Sequence, residues 1–289
     1  MTPRAAISRI LQQESLNFLL TNRIPRRSLT RFMGWFSRIE LPWIRASSIA
    51  IWRFLADVDL SDARQTRFRS LHECFTRELK PDARPVDADQ KVLVSPCDAI
   101  VGAMGQVADG VVLQAKGRPY RLIELLGDDE RVRYYANGWY ATLRLTAGMY
   151  HRFHAPYACR VEQVTYVPGD TWNVNPIALK RVDALYCRNE RATISCRLEA
   201  SDHLITLVPI AAILVASIQL HFLDLLLHLR YRGPNRIACD ATLDKGQEMG
   251  WFQHGSTIIV FAPSSFSFCP AIHEGARVRM GQPLLRLPG

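Results

Sequence analysis

Residues 204–220 form a run of 17 residues without a formal charge, and this run limits what the chain can fold into. Its length lies at the lower limit for a membrane-spanning helix. Pro209 interrupts the run, however, and its six Ile and Val residues favour strands. Buried strands also read as continuous apolar stretches. The run therefore predicts core strands of a globular domain, and a membrane span is the alternative.

The residue pattern changes after Pro81. From there on, the chain consists of short runs of strand-favouring residues, which Gly, Pro and Asp separate. Residues 272–284 also look like the closing hairpin of a barrel-sandwich. We predict an α+β fold in which a mostly-β core of barrel-sandwich-like sheets follows an N-terminal amphipathic helical region of residues 1–69. The predicted strands are residues 91–94, 100–107, 110–115, 139–146, 159–167, 192–198 and 256–262.

The N-terminal region is predicted to contain amphipathic helices. Apolar residues recur at helical spacing over residues 29–39, and a second helix is predicted to open at Pro42. A vaguer helical pattern covers residues 5–20. Ser70 and Glu73 have the spacing of a capping box, which predicts a further helix over residues 71–79.

The basic charge of the chain is concentrated in the same region. Residues 1–70 contain twelve Arg and five acidic residues, which gives +7 of the total net charge of +9, and they contain three of the six Trp. Arginine together with interfacial Trp suits an anionic membrane surface. A basic arm can also bind nucleic acid, but no nucleic-acid module follows it, so we expect no such partner. The alternative interpretation is that the apolar helix faces cover the main domain.

Three short segments carry the side chains of an activated nucleophile. Singly, Asp98 is typical of a turn residue and Ser256 of a strand-edge hydroxyl, and a His-x-x-His pair with no third ligand nearby predicts no metal site. Together they offer a hydroxyl, an imidazole that accepts its proton and a carboxylate that holds the imidazolium. The segments are Ser95-Pro96-Cys97-Asp98-Ala99, Tyr150-His151-Arg152-Phe153-His154 and Gly255-Ser256-Thr257.

These segments occur in the order, and with the neighbours, of the bacterial phosphatidylserine decarboxylase proenzymes, and the chain resembles that family from about residue 71 to its C-terminus. Further matching motifs are Phe75-Thr76-Arg77-Glu78-Leu79-Lys80 with Arg84-Pro85, Leu113-Gln114-Ala115-Lys116-Gly117, Tyr166-Val167-Pro168-Gly169-Asp170, Arg188-Asn189-Glu190-Arg191 and Lys245-Gly246-Gln247-Glu248-Met249-Gly250.

The resemblance implies a catalytic domain of residues 70–289 that cleaves itself between Gly255 and Ser256. Ser256 would attack the carbonyl carbon of Gly255, with His154 as the base and Asp98 as its orienting partner. Gly255 suits this step because it has no Cβ. The implied products are a β chain of residues 1–255 and an α chain of residues 256–289, which stay together as a heterodimer. Ser256 would become a covalent pyruvoyl group, the only cofactor.

The resemblance also implies a decarboxylation. The pyruvoyl group would form a Schiff base with phosphatidylserine, carbon dioxide would leave, and phosphatidylethanolamine would be released, with His151 as the proton donor. His151 and His154 project from one side only in a helical turn and oppose each other on a strand. The expected location is the cytoplasmic side of the inner membrane, as a peripheral protein, and a homodimer is a further expected assembly.

The chain departs from the family pattern at three positions without losing a reacting group. Ala99 and Cys159 stand where relatives commonly have Gly, and His254 stands where they have Leu. Asn173 occupies a position where relatives often carry Ser, and we assign it no role. These departures leave one alternative function open, a processing-dead homologue that binds phospholipid without turnover.

Overall fold

The computed structural model describes residues 13–115, 118–214, 217–253 and 256–288. Its helices are α1 (Glu14–Asn22), α2 (Arg26–Phe36), α3 (Pro42–Ala56), α4 (Leu71–Phe75), α5 (Leu122–Leu126), α6 (Asp129–Tyr134), α7 (Pro176–Arg181) and α8 (Leu185–Arg188), with a 3₁₀ turn at His221–Leu223. Its strands are β1 (Val92–Val94), β2 (Ala99–Gln106), β3 (Val111–Ala115), β4 (Arg118–Arg121), β5 (Trp139–Leu145), β6 (Arg152–His154), β7 (Cys159–Val167), β8 (Arg191–Leu198), β9 (Leu204–Ile210), β10 (Ser217–Leu220), β11 (Leu225–His228), β12 (Arg236–Leu243), β13 (Glu248–Phe252), β14 (Ser256–Ala262), β15 (Ser267–Phe268), β16 (Arg277–Val278) and β17 (Pro283–Arg286).

The strands form antiparallel sheets, which confirms the α+β prediction with a mostly-β core. The largest sheet has the order β12-β7-β8-β9-β14-β5-β2-β16, and a four-stranded sheet has the order β11-β10-β13-β6. A three-stranded sheet, β1-β17-β15, and the β3-β4 ribbon complete them. Within the described ranges none of these sheets closes into a barrel.

Strand β14 lies in the interior of the large sheet, and all seven of its residues are buried. Ile258 and Val260 belong to a core cluster shared with the four-stranded sheet. Ile259 and Phe261 point to the opposite face and pack in a second cluster that includes side chains of α5, α7 and α8. Each of these fully buried side chains contributes roughly 1.5–3 kcal/mol of transfer free energy, so β14 is held firmly on both faces.

The uncharged run of residues 204–220 supplies core strands, as predicted. It contains β9, which pairs with β14, and β10, which pairs with β13. Among the described residues, no helix is both long enough and apolar enough to cross a membrane. The interpretation of residues 204–220 as a spanning helix is therefore wrong.

The predicted N-terminal helices are present with shifted ends. Helix α2 begins at Arg26, directly after Pro25, instead of residue 29. The Arg26 guanidinium pairs with Asp170 at 2.5 Å and lies 3.7 Å from the Trp172 ring centroid. Helix α3 opens at Pro42, as predicted. Of the vague pattern over residues 5–20, the structure describes only the part from residue 13, where α1 begins at Glu14.

Helix α4 is capped as predicted but is shorter than predicted. The Ser70 hydroxyl accepts a hydrogen bond from the Glu73 N–H at 3.2 Å, and the Glu73 carboxylate accepts one from the Arg69 N–H. The helix ends at Phe75 instead of residue 79. The following backbone leaves the helix because Glu78 pairs with Arg64, whose N–H donates to the Glu78 carbonyl at 2.9 Å.

The closing hairpin predicted at residues 272–284 is wrong. Its two strands do not pair with each other, because β16 adds to the edge of β2 in the large sheet while β17 pairs with β1 and β15. The C-terminal segment therefore contributes strands to two different sheets. The partners of these strands are distant in the sequence, so the local spacing of the two strands does not predict them. The domain boundary between residues 69 and 70 stays a prediction.

Gly250 gives a test of the pairing between β10 and β13. A Cβ at this position would lie 1.9 Å from the Gln219 carbonyl oxygen, so Gly250→Ala forces the two strands apart. We expect a loss of about 1–3 kcal/mol or more in the free energy of unfolding, measured by thermal or urea denaturation. Gly34→Ala is the matched control, because nothing lies within 4 Å of its Cβ position, and in helix α2 it should stabilise by about 0.5–1 kcal/mol. Equal stability of the two variants would contradict the observed pairing.

Candidate active site

Ser256 is the first residue of β14, and its side chain is fully buried. It lies directly opposite Leu145 of β5, so the two side chains share one face of the sheet. Within the described part of the chain, the Ser256 hydroxyl has no hydrogen-bond partner. Such an unsatisfied buried hydroxyl is costly. Gly255 and His254 lie outside the described residues.

Strand pairing places the end of β5 and the start of β6 beside the start of β14 and the end of β13. Strand β5 pairs with β14, and β6 pairs with β13. The Phe252 N–H at the end of β13 also donates to the His151 carbonyl at 3.0 Å. His154 pairs with Glu248 at the far end of β6.

His151 and His154 lie on opposite sides of one strand. The segment is extended, so an i, i+3 spacing points the two imidazoles apart. The His151 ring packs against Phe75 with 4.0 Å between ring centroids, and its Nδ1 lies 2.8 Å from the Met149 carbonyl, to which it donates. His151 shares the face of Phe153, which belongs to the same core cluster as Leu145. His154 points to the opposite face.

The hydrogen bonds of His154 define its protonation state. Its Nδ1 lies 3.0 Å from the Gly246 carbonyl oxygen, which can only accept, so Nδ1 carries the proton. Its Nε2 is then the acceptor for the Tyr150 hydroxyl at 3.1 Å. Burial lowers the pKa of His154 to about 4, although the Gly246 hydrogen bond opposes this shift. His154 is therefore a neutral imidazole at pH 7, the form that can accept a proton.

Asp98 lies close to His154 in the fold but bonds to other groups. The His154 N–H donates to the Pro96 carbonyl at 2.8 Å, which brings the two segments together. The Asp98 carboxylate accepts from Arg84 Nε at 2.9 Å, from Arg84 Nη2 at 2.7 Å and from the Met280 N–H at 2.9 Å. In the described ranges no hydrogen bond joins Asp98 to His154, or His154 to Ser256. The relay inferred from the sequence stays a prediction.

Two cavities flank this strand. A polar cavity of about 270 Å³ is lined by Arg84, Tyr150, His154 and Glu248. A cavity of about 640 Å³ lies on the other side, between helices α2 to α4 and the ends of the sheet strands. Phe75, which contacts the His151 ring, and Leu145, which faces Ser256, both line the larger cavity. Neighbours of Ser256 and His151 therefore line the larger cavity, and His154 itself lines the smaller one.

Sequence reasoning missed three contributors to the site. Arg84 was quoted as part of a matching motif without a role, yet it forms the ion pair of Asp98. Tyr150 carries no role in the sequence analysis beyond its place beside His151, whereas its hydroxyl bonds to His154. The Gly246 carbonyl fixes the His154 tautomer, and only its place in the motif of residues 245–250 could have drawn attention to it.

Comparison with known proteins identifies the family. A family model described as phosphatidylserine decarboxylase matches residues 71–286. The chain belongs to the phosphatidylserine decarboxylase family. It is 32% identical to a phosphatidylserine decarboxylase proenzyme of Aliivibrio salmonicida over 289 residues, which covers 95% of this chain and 99% of the relative. It is 35% identical to a proenzyme of the same description from Bordetella pertussis over 271 residues, 90% of each chain, and 31% identical to one from Brevibacillus brevis over 274 residues, 92% of this chain and 95% of the relative.

The region matched by the phosphatidylserine decarboxylase model contains Asp98, His151, His154 and Ser256, and it begins where helix α4 begins. Helices α1 to α3 precede it, although the alignments with the relatives cover at least nine-tenths of the chain. The enzyme class that follows from the family is that of a carboxy-lyase.

The ion pair between Arg84 and Asp98 gives a second test. Both side chains are only 10% exposed, so Arg84→Gln leaves a nearly buried carboxylate without its cation. We expect a loss of about 3 kcal/mol in the free energy of unfolding. Arg64→Gln is the matched control, because its pair with Glu78 is 66% and 41% exposed and should change stability by less than about 1 kcal/mol. Equal losses of unfolding free energy in the two variants would contradict a stabilising role of the buried Arg84–Asp98 pair.

The lowered pKa of His154 predicts how stability depends on pH. The unfolded chain binds a proton at His154 below about pH 6.5, whereas the folded chain does so only near pH 4, so stability is lost as the pH falls between these values. We expect Ser256→Ala protein, which stays one chain, to lose about 2 kcal/mol between pH 7 and 5 through this group. The double variant Ser256→Ala/His154→Gln should lack that loss in denaturation curves. Parallel pH profiles would contradict a buried neutral His154.

Proposed function

We propose that this protein is a phosphatidylserine decarboxylase that makes its own catalytic group by cleavage before Ser256. The observation that carries the proposal is the position of Ser256. Its hydroxyl is buried and unsatisfied within the described residues, at the start of the most enclosed strand, and its cross-strand neighbour Leu145 lines the larger cavity. Membership of the phosphatidylserine decarboxylase family and the proenzyme names of the relatives support the same conclusion.

In the proposed self-cleavage, Ser256 Oγ attacks the carbonyl carbon of Gly255. The C–N bond of the peptide breaks and a C–O ester bond forms, while the hydroxyl proton passes to the base and then to the released amine. Elimination across Cα and Cβ of Ser256 frees the Gly255 carboxylate, and water then replaces the nitrogen, which leaves as ammonia. His154 is the proposed base because its Nε2 is unprotonated, and Asp98 is its proposed orienting partner.

In the described ranges the proposed base has no direct hydrogen bond to Ser256. In the structure His154 Nε2 accepts a hydrogen bond from the Tyr150 hydroxyl instead. We therefore place Tyr150 in the proton path, because its buried hydroxyl can give its proton to His154 as it receives another. Burial raises the pKa of Tyr150, so this hydroxyl stays protonated at pH 7 and does not act as a base itself.

After cleavage, residues 256–289 remain attached to residues 1–255 through strand pairing. β14 keeps its ladders with β5 and β9, and β17 keeps its ladder with β1. The pyruvoyl group at residue 256 supplies an electron-withdrawing carbonyl, which the natural side chains lack and which the decarboxylation of an amino acid requires. His151, whose ring contacts Phe75 at the larger cavity, is the proposed proton donor. It would donate from Nε2 of its protonated ring, because Nδ1 already donates to the Met149 carbonyl.

The larger cavity is the proposed site for the lipid. Apolar side chains of helices α2 and α3 form one of its walls, which excludes water from the reacting carboxylate and favours loss of its charge as carbon dioxide. Ile51 and Leu55 line the cavity and are also 59% and 56% exposed, so the cavity reaches the surface between them. A lipid can therefore enter from that surface.

The same helices form the proposed membrane-docking surface. Nine of the twelve exposed large apolar side chains found in the described residues lie between residues 19 and 55, and they include Trp35 at 64% and Trp43 at 71%. An apolar surface of this kind, flanked by arginines, suits the headgroup region of an anionic bilayer. Other apolar residues of the helices face the body, where Trp52 packs beside Phe68 and Cys74. One face of the helices thus covers the domain, and another face is the proposed lipid-docking surface. We place the protein on the cytoplasmic face of the inner membrane.

Intact mass after expression tests the proposal. We expect two chains, the smaller beginning at residue 256 with a pyruvoyl terminus that blocks Edman sequencing. Ser256→Ala, His154→Ala and Asp98→Ala should each prevent the cut. His151→Ala should be cut normally yet lose at least about a hundredfold in decarboxylation rate, the order of a missing general acid.

The control is His273→Ala, an exposed histidine whose ring contacts the Glu274 carbonyl, and it should match the parent in both assays. A parent protein that stays one chain would favour a lipid-binding homologue without turnover. Cleavage of His154→Ala at the parental rate would remove His154 from the base role. An unchanged decarboxylation rate in His151→Ala would exclude His151 as the proton donor.

A further inference from the structure

Arg144 is a charged residue in an otherwise uncharged cavity. The cavity of about 640 Å³ is lined by apolar side chains together with a few neutral polar ones, such as Ser48, Thr146 and Asn173. Of the described residues that line it, Arg144 alone carries a formal charge. A cation in such a position must be explained by an anion that it meets.

The described residues do not provide that anion. The backbone of Arg144 pairs with Thr257 of β14 and Ile100 of β2, but no hydrogen bond or ion pair of its guanidinium is found within the described residues. The side chain is only partly exposed. A partly buried cation without a partner costs stability, and charges that cost stability in a cavity are characteristic of functional sites.

The position of Arg144 relates it to the reacting residue. Arg144 lies opposite Thr257, the residue after Ser256, and the adjacent Leu145 lies opposite Ser256 itself. Paired residues on neighbouring strands are only about 4.5–5.5 Å apart at Cα, so Arg144 lies close to the start of β14. Its side chain points to the sheet face opposite that of Leu145 and Ser256, so the two meet only around the end of the strand. The cavity extends around this strand end, because both Arg144 and Leu145 line it.

We infer that Arg144 binds the phosphodiester of the lipid headgroup in this cavity. The inference rests on the proposed function for the identity of the lipid. A guanidinium matches the oxygens of a phosphate with two parallel hydrogen bonds, and an apolar surrounding strengthens that contact. The acyl chains would then lie along the apolar walls of helices α2 and α3.

The carboxylate of phosphatidylserine is the other anion that could meet Arg144, but the reaction argues against it. The carboxylate loses its charge as carbon dioxide departs, so a guanidinium bound to it would stabilise the substrate more than the transition state. The phosphodiester keeps its charge throughout the reaction. Binding it affects substrate and transition state equally, which lowers KM and leaves kcat unchanged.

The test uses Arg144→Met in the full-length, self-cleaved protein with a soluble dihexanoyl phosphatidylserine. We expect normal self-cleavage by intact mass, a KM raised roughly 10- to 100-fold and a kcat within about twofold of the parent. The melting temperature should stay equal or rise, because the change removes an unpaired cation from an apolar cavity. Arg144→Lys should keep part of the affinity, since it keeps the charge and loses the two-pronged contact.

A second measurement separates the two anions and does not require turnover. Dihexanoyl phosphatidylglycerol has the phosphodiester and no carboxylate, and calorimetry should show that Arg144→Met weakens its binding by the same factor as the KM for phosphatidylserine. Arg286→Gln, an exposed arginine of β17 outside the cavity, is the matched control and should change neither value.

Several results would overturn the inference. An unchanged KM in Arg144→Met would exclude Arg144 from substrate binding. A lower melting temperature with an unchanged affinity for phosphatidylglycerol would show a structural role. A loss confined to phosphatidylserine would assign Arg144 to the carboxylate. If the parent protein has no decarboxylase activity, the proposed function fails, and binding of phosphatidylglycerol still decides whether Arg144 is an anion site.

Discussion

The enclosure of β14 between β5 and β9 is the constraint on which the rest of the structure depends. Both faces of this strand are covered, and its first residue is Ser256. A hydroxyl at this position is withdrawn from water and is kept in register with Leu145. The same ladders explain how a chain cut before Ser256 would remain one body, because cleavage removes one peptide bond and none of the strand pairing that follows it.

The extended backbone at His151–His154 separates two imidazoles that are only three residues apart. One contacts Phe75 at the large apolar cavity, and the other bonds to Tyr150 in a small polar cavity beside Arg84 and Asp98. A helical turn at this place would have put both rings on one side. The strand therefore gives the two imidazoles different environments, an apolar one beside Phe75 and a polar one near the buried pair of Arg84 and Asp98.

Helices α2 and α3 connect the site with its surroundings. They wall the large cavity, and they also present exposed aromatic and apolar side chains such as Trp35 and Trp43. The Arg26–Asp170 pair and the contact of Arg26 with Trp172 attach this region to the body at the end of β7. In the proposed function, a lipid would pass along these helices from the bilayer to the reacting residue.

Much of the fold followed from the sequence, because β-rich runs, the Ser70 capping box and the opening of α3 at Pro42 are local signals. Strands such as β12, whose residues are mostly exposed or half-buried, and β6, which has only three residues, carried too weak a pattern to be recognised. Ser256, His151, His154 and Asp98 could be singled out from their motifs. Their mutual arrangement could not, because strand pairing over more than a hundred residues decides it.

The sequence by itself determined which residues are able to react, since hydroxyl, imidazole and carboxylate chemistry belongs to the side chains and their flanking motifs. Only the tertiary structure decided three further contacts. Arg84 forms an ion pair with Asp98, the Tyr150 hydroxyl donates to His154, and Arg144 is the one formally charged residue among the described residues that line the large cavity. The physical reason is that hydrogen bonds, burial and cavities arise between segments distant in the chain, and no local pattern encodes which distant groups will meet.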